Sequence, residues 1–378
     1  MNMTNRKGRR TGTIGVIGAM AAMAVATAGV ALAQVPADIE AQLVKIGHIV
    51  DPACTAKLYR PLMPANDIHS TVTPLYPGVV IARDISFGPN TKDVADVFSA
   101  EKGGGSRTVL MYLPGGAGNK TEQQNREANA FMDNVGRWGV KNGMTVVIMQ
   151  RHPGASWDDP GRDVSKMVQW AEANIAKYKG NPNRMFLWAQ SAGNGPLGVY
   201  LGRPELWGPK GVGVVGAISM SGQFNITPLQ VPGGGRGPAP NQPGGIFYGA
   251  GATCGSNGPA STDGLIDGPS RATPAAEGGR GPGGPPDAAT LEARSSLPEL
   301  RRTKVKLLFA SAELDPGVNG AMAPFYQTLH DDICMHNPSN CPTMLYEKGE
   351  SHMSEVFSID TADQTVSGPI LAWMKKVK

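Results

Sequence analysis

Cysteine and histidine, the softer metal ligands, are scarce in this chain. Of 378 residues, four are cysteine and six are histidine. The cysteines fit no standard zinc spacing, and the nearest grouping, Cys334, His336 and Cys341, matches none of the usual ligand patterns. There is no G-x-x-x-x-G-K-S/T stretch, so a phosphate loop of that type is excluded. Excess charge is also missing. The formal net charge is +4, and Arg6, Lys7, Arg9 and Arg10 carry all of it, because no acid precedes residue 34. Beyond that point the chain is balanced. A basic surface for nucleic acid and a polybasic membrane anchor are therefore both excluded.

Those four basic residues open a recognisable segment. An apolar, Ala/Gly-rich stretch from Ile14 to Leu32 follows them, and Ala31-Leu32-Ala33 forms an A-x-A cleavage site. Residues 1–33 read as a signal peptide, with the mature chain starting at Gln34 and no membrane anchor after cleavage. The stretch is poor in Leu and Phe and ends in a processing signal, which argues against a retained anchor. Arg9-Arg10 raises the twin-arginine route, but Thr-Gly-Thr-Ile follows the pair and suits it poorly, so the general route is favoured. No cysteine stands at the cleavage site, which excludes a lipoprotein. The expected location is periplasmic or secreted.

An even number of cysteines in an exported chain reads as disulfides. Cys334 and Cys341, separated by Met-His-Asn-Pro-Ser-Asn, are the best pair, and Cys54–Cys254 follows by elimination.

Apolar runs alternate with helical periodicity along the rest of the chain. Residues 34–75 form an N-terminal extension with an amphipathic helix over 37–48. Residues 76–378 form one α/β domain. Strands are expected at Val79–Phe87, Asp93–Phe98, Thr108–Leu113, Met144–Met149, Met185–Trp188, Val212–Met220, Val305–Ala310 and Pro342–Tyr346. Helices are expected over 124–140, Asp163–Lys179, Gly195–Leu201 and Val366–Val377. Uninterrupted apolar strands separated by helices predict a mostly parallel sheet covered on both faces. One insertion, at about 231–290, breaks the pattern: from Pro232 to Pro286, 27 of 55 residues are Gly or Pro. It reads as an irregular loop tethered at Cys254, with a flap over the site as the alternative.

The most informative stretch is Met185-Phe-Leu-Trp-Ala-Gln-Ser-Ala-Gly-Asn-Gly195. An apolar strand breaks at Ser191 into small residues and then into a helix, the form of a nucleophile elbow, with Ala189 where Gly is usual. A serine hydroxyl needs a base, and the base needs an orienting acid. In this type of fold they follow in the order serine, acid, histidine. Asp315 lies just past the strand ending at Ala310 and is the expected acid, with Glu313 as the alternative. His352 follows the last strand and is the one histidine that satisfies both order and placement. Oxyanion donors are expected from Gly115 and Gly116, in the loop Pro114-Gly-Gly-Ala-Gly118, and from Ala192.

With these residues in place, the chain resembles α/β-hydrolase fold carboxylesterases of the hormone-sensitive-lipase and feruloyl-esterase-like (BD-FAE) type, a group that includes arylformamidases. The resemblance runs from about Asp51 to the C-terminus. It rests on Arg83-Asp84 with Asp96-Val-Phe98, Leu113–Gly118, Asn119-Lys120, Asn181–Gly193, Ser219–Asn225, Ser296–Leu300, Glu313–Asp315 and Gly349–His352. Pro114 stands where the group usually has His, and the Gly/Pro insertion is unlike its usual cap. The resemblance implies Ser191 as nucleophile, Asp315 as acid, His352 as base, and Gly115, Gly116 and Ala192 as oxyanion donors. It implies no cofactor or metal. The expected activity is hydrolysis of small-molecule or polymeric carboxylic esters through an acyl-enzyme. An arylformamidase, a peptidase of the same fold and a non-catalytic binding module on a hydrolase scaffold remain as alternatives.

Overall fold

The structure is a computed structural model that describes residues 34–64, 76–116, 130–151, 159–231, 287–315 and 322–378. Cys254 and nearly all of the Gly/Pro insertion lie outside the described residues, as do the leader and the start of the helix expected over 124–140.

Eight strands form one sheet: β1 (Val79–Ser86), β2 (Val94–Ala100), β3 (Arg107–Leu113), β4 (Met144–Met149), β5 (Gly180–Gln190), β6 (Gly216–Met220), β7 (Lys306–Ala312) and β8 (Thr343–Glu347). Their order is β1-β2-β4-β3-β5-β6-β7-β8. The β1–β2 and β2–β4 pairings are antiparallel, and every pairing from β4 to β8 is parallel. The central strands are apolar without a break because both faces are covered. Successive side chains then alternate between two cores. Leu110, Tyr112, Val146, Ile148, Phe186 and Trp188 enter one core, while Val109, Met111, Val147, Met149, Met185 and Leu187 enter the other.

Ten helices frame the sheet among the described residues: α1 (Ala37–Ile46), α2 (Pro52–Tyr59), α3 (Ala130–Lys141), α4 (Asp159–Asn174), α5 (Asn194–Gly202), α6 (Ala288–Ala293), α7 (Leu297–Leu300), α8 (Ala323–His336), α9 (Ser354–Phe357) and α10 (Ser367–Lys376). Residues of α1, α2, α3, α9 and α10 pack into the first core, including Leu43, Tyr59, Trp138, Phe357 and Ile370. Residues of α4, α5 and α8 pack into the second, including Met167, Leu197 and Leu329. Trp188 is fully buried and meets Tyr112 and Trp138 edge-on at 5.6 and 5.9 Å. Such pairs contribute about 0.5–1.5 kcal/mol each beyond their buried area.

Several elements differ in extent from the sequence expectation. The serine strand runs from Gly180 rather than Met185, because Arg107 of β3 pairs as far back as Gly180. The helix expected over 163–179 starts at Asp159 and gives way to a 3₁₀ turn at Ile175–Tyr178. Lys179 then stops it in a left-handed conformation (φ 67°). The strand expected from Val212 begins at Gly216. Helix α2 was not anticipated. Asp51 caps it by accepting from Cys54 N at 2.9 Å, and Pro52 occupies its first turn. Among the described residues no helix is long and apolar enough to cross a membrane.

Candidate active site

The site lies at the C-terminal ends of β3, β5 and β7 and just beyond β8. Strand β5 ends at Gln190, and Ser191 follows with φ 51°, a left-handed conformation that a non-glycine residue adopts at a cost of about 1–3 kcal/mol. A 3₁₀ turn, Ser191–Gly193, leads directly into α5. The requirement for a small residue after the serine is steric. A Cβ on Gly193 would lie 2.3 Å from the Leu113 carbonyl oxygen. At the other end, Ala189 is fully buried in the sheet, so the turn accommodates a methyl group where glycine is usual.

Asn194 holds the strained turn. Its Nδ2 donates to the main-chain oxygens of Ser191 (2.9 Å) and Met220 (2.8 Å), and its Oδ1 accepts from Ser219 Oγ at 2.6 Å. One buried amide thus fastens the elbow to β6 and makes three hydrogen bonds doing so.

Ser191, His352 and Asp315 meet in space. His352 Nε2 lies 2.9 Å from Ser191 Oγ, and its Nδ1 lies 2.5 Å from Asp315 Oδ2. Asp315 is almost wholly buried and His352 is 8% exposed. An ionised carboxylate only accepts, so Nδ1 carries the proton on that side and Nε2 is left to accept from the serine hydroxyl. Glu313, the alternative acid, does not reach the imidazole. Its Oε2 accepts from Gly349 N at 2.7 Å and so braces the turn that leads to His352.

The oxyanion candidates are drawn to the same point. A Cβ on Gly115 would fall 2.8 Å from Ser191 Cβ and 2.1 Å from Gln190 Oε1, so only a glycine lets this loop lie against the serine. Gly116 has φ 58°, a conformation natural to glycine. Ala192 occupies the first turn past the serine. Ala117 and Gly118 lie outside the described residues.

Two neighbours were not anticipated in the sequence. Gln190 Nε2 donates to the His352 carbonyl oxygen (3.0 Å) and to Glu355 Oε1 (2.9 Å). Arg151, two residues past β4, donates to carbonyls of the Pro114–Gly116 loop. The only available signal was position, since Gln190 directly precedes the serine and Arg151 follows a strand end.

Beneath the histidine turn lies a group of buried acids. Glu347, Glu350 and Glu355 are fully buried, and desolvation is the largest cause holding the carboxyl of each well above the ordinary glutamate range. Charge repulsion from neighbouring carboxylates raises all three further, while a hydrogen bond with Glu355 acts in the opposite sense on Glu347, and His352 does so on Glu355.

Away from the site, Cys334 and Cys341 are bonded, with Cα atoms 4.6 Å apart. That bond removes both sulfurs from any metal site with His336, whose Nδ1 lies 2.8 Å from the Asp332 carbonyl oxygen. Cys54 is also disulfide-bonded; the partner expected for it, Cys254, lies outside the described residues.

No family model matches the chain. A stretch of 93 residues, 24% of this chain, is 34% identical to LipM, a probable carboxylic ester hydrolase of Mycobacterium tuberculosis. The matched stretch spans 20% of that curated relative's length. Among solved structures, the Pyrobaculum calidifontis esterase superposes with a TM-score of 0.51, covering 90% of each chain at 14% identity. Carboxyl esterase 2 of the fungus Tuber melanosporum gives 0.52, covering 82% of this chain and 89% of its own at 15% identity. With the eight-stranded, mostly parallel sheet and its flanking helices, these likenesses define the architecture: the chain has the α/β-hydrolase fold.

Proposed function

We propose that the protein is an exported serine esterase that hydrolyses carboxylic esters through an acyl-enzyme. The observation that carries this reading is the continuous hydrogen-bonded chain Asp315–His352–Ser191, with its serine on a strained elbow against a glycine loop. His352 Nε2 takes the hydroxyl proton as Ser191 Oγ attacks the ester carbonyl. Negative charge develops on the carbonyl oxygen, where the N–H groups of Gly115, Gly116 and Ala192 receive it. The imidazolium returns its proton to the departing alcohol. Water then attacks the acyl group by the same relay and releases the acid. Asp315 holds the tautomer and stabilises the imidazolium without taking the proton.

The named likenesses, a probable carboxylic ester hydrolase and two esterases, agree with this choice of reaction. Export is supported by the cleavable leader read from residues 1–33 and by the Cys334–Cys341 bond, which suits an oxidising compartment.

The test uses protein beginning at Gln34, beside Ser191→Ala, on p-nitrophenyl esters of increasing acyl length. The parent is expected to turn over esters, while Ser191→Ala falls by about 10³-fold or more with its fold intact. Equal turnover by both would overturn the serine mechanism. A parent inert on every ester but active on an aryl formamide would move the reading to an arylformamidase.

A further inference from the structure

Arg151 lies just past β4, anchored by the hydrogen bond from Gln150 N to the Val94 carbonyl oxygen (2.9 Å). Its side chain is turned inward, and the residue is 8% exposed. The guanidinium reaches the loop after β3 and takes two of its carbonyls. Nε donates to Pro114 O at 2.6 Å, and the terminal nitrogen NH2 donates to Gly116 O. One planar fork therefore grips two carbonyls of the loop that carries the candidate oxyanion donors, a geometry that a lysine ammonium does not reproduce.

The consequence follows from the trans peptide. In each peptide plane the carbonyl and the N–H point in opposite directions. With the Pro114 carbonyl fixed on Arg151, the N–H of Gly115 is directed away from the guanidinium. Gly115 is also in contact with Ser191, so the loop has the cation on its carbonyl side and the serine against its chain. Proline at 114 has no N–H of its own and contributes only the carbonyl that Arg151 holds. The charge adds a second effect. A cation at the oxygen end of a peptide dipole polarises that peptide further and makes its N–H a stronger donor. Such pre-set donors stabilise charge that appears only in the transition state.

We infer that Arg151 is the positioning residue of the oxyanion loop: it polarises the peptide that carries the Gly115 N–H and holds the loop in place at the Gly116 carbonyl, without touching substrate. The inference rests on the esterase reading above. It separates from that reading because it concerns how fast an active parent works, and not whether it works.

The experiment compares the parent, Arg151→Lys and Arg151→Ala in the chain from Gln34, using p-nitrophenyl acetate. The readouts are kcat, KM, inhibition by an aryl trifluoromethyl ketone, and thermal unfolding. Arg151→Ala is expected to lose about 10²–10³-fold in kcat, the scale of one oxyanion donor, with KM changed less than about threefold. Affinity for the ketone, which forms a tetrahedral adduct, should fall in parallel with kcat. Ethylguanidinium ion in the buffer should restore part of the kcat of Arg151→Ala. Arg151→Lys keeps the charge and loses the fork, and is expected to fall at least about tenfold. A folded Arg151→Ala with parental kcat would overturn the inference, and so would a change confined to KM. If Arg151→Ala does not fold, Arg151→Lys decides, and parental kcat there would overturn it. A parent inert on this ester and on every longer p-nitrophenyl ester would instead sink the esterase reading, and the inference with it.

Discussion

Gln190 bridges His352 and Glu355. Its Nε2 donates to the histidine's own main-chain carbonyl oxygen at 3.0 Å and to Glu355 Oε1 at 2.9 Å. The other carboxyl oxygen of Glu355 accepts from Ser221 Oγ at 2.7 Å. The residue directly before the candidate nucleophile therefore holds the backbone of the candidate base directly, and ties it to a buried acid that is itself held by the residue just past β6. Replacing Gln190 with Leu removes the hydrogen bonds to the His352 carbonyl oxygen and to Glu355, together with a 3.5 Å contact to His352 Nε2, and leaves Glu355 short of a donor. Such an unsatisfied buried group costs about 1–3 kcal/mol. A lower midpoint in thermal unfolding and a drop of about tenfold or more in kcat are expected for Gln190→Leu. An unchanged kcat would mean that His352 is positioned without this bridge.

The two candidate acids make separable predictions. Asp315→Asn keeps shape but changes the hydrogen bond to Nδ1, and loss of a triad acid by this substitution costs about 10⁴-fold in kcat. Glu313→Gln can still accept from Gly349 N and is expected to leave kcat within about threefold. Steady-state rates of the two variants on one ester check this, and the reverse ranking would make Glu313 the functional acid.

The elbow tolerates a methyl group on one side of Ser191 and not on the other. In Gly193→Ala the new Cβ meets the Leu113 carbonyl oxygen at 2.3 Å, a backbone contact with no flexible end to move aside. Poor folding or a marked loss of thermal stability is expected. Ala189→Gly creates no clash and should cost only about 0.5–1 kcal/mol, the usual penalty of glycine inside an element. Denaturant unfolding of the two variants measures the asymmetry.

The buried acids beneath the histidine turn predict how stability depends on pH. Glu347, Glu350 and Glu355 all titrate well above their unfolded value, which is near 4.3 for glutamate. The folded chain therefore keeps protons that the unfolded chain releases. Their stabilising contribution is complete below about pH 4 and declines as pH rises from there towards the folded values. Glu350→Gln removes one such group and still offers an oxygen to the Ser354 hydroxyl. Its melting temperature should exceed the parent's at pH 7–8, with a smaller gap at pH 4. A gap that is larger at pH 4 would show that Glu350 is ionised in the folded protein.

Much of this architecture was legible in the sequence because one physical cause dominated each element. The strands from Thr108 to Leu113 and from Met144 to Met149 are buried on both faces, so apolar composition alone marks them. Ser191, Asp315 and His352 were legible because chain order and strand ends restrict each to one or two positions. What escaped was decided by tertiary contact. Helix α2 has weak periodicity and is held by a cap and by burial of Ala56 and Tyr59 in the first core. Arg151, Gln190 and Asn194 act through carbonyls more than 20 residues away in sequence or through a turn whose strain is invisible in composition.

The beginning and the end of the described chain close on one another. Tyr59 OH donates to Asp363 at 3.0 Å, and Val35 and Glu40 lie beside Gly349, three residues from His352. On the export route proposed for this protein, the chain crosses its membrane with the N-terminus leading. The segment that emerges first is thus the one that backs the turn emerging almost last. Helices α1 and α2 lack their contacts to the histidine turn and to Asp363 until β8 and the residues after it have followed. Assembly of the site then becomes a late event that requires the whole chain, and a polypeptide stalled before residue 343 would carry its serine with no base to activate it.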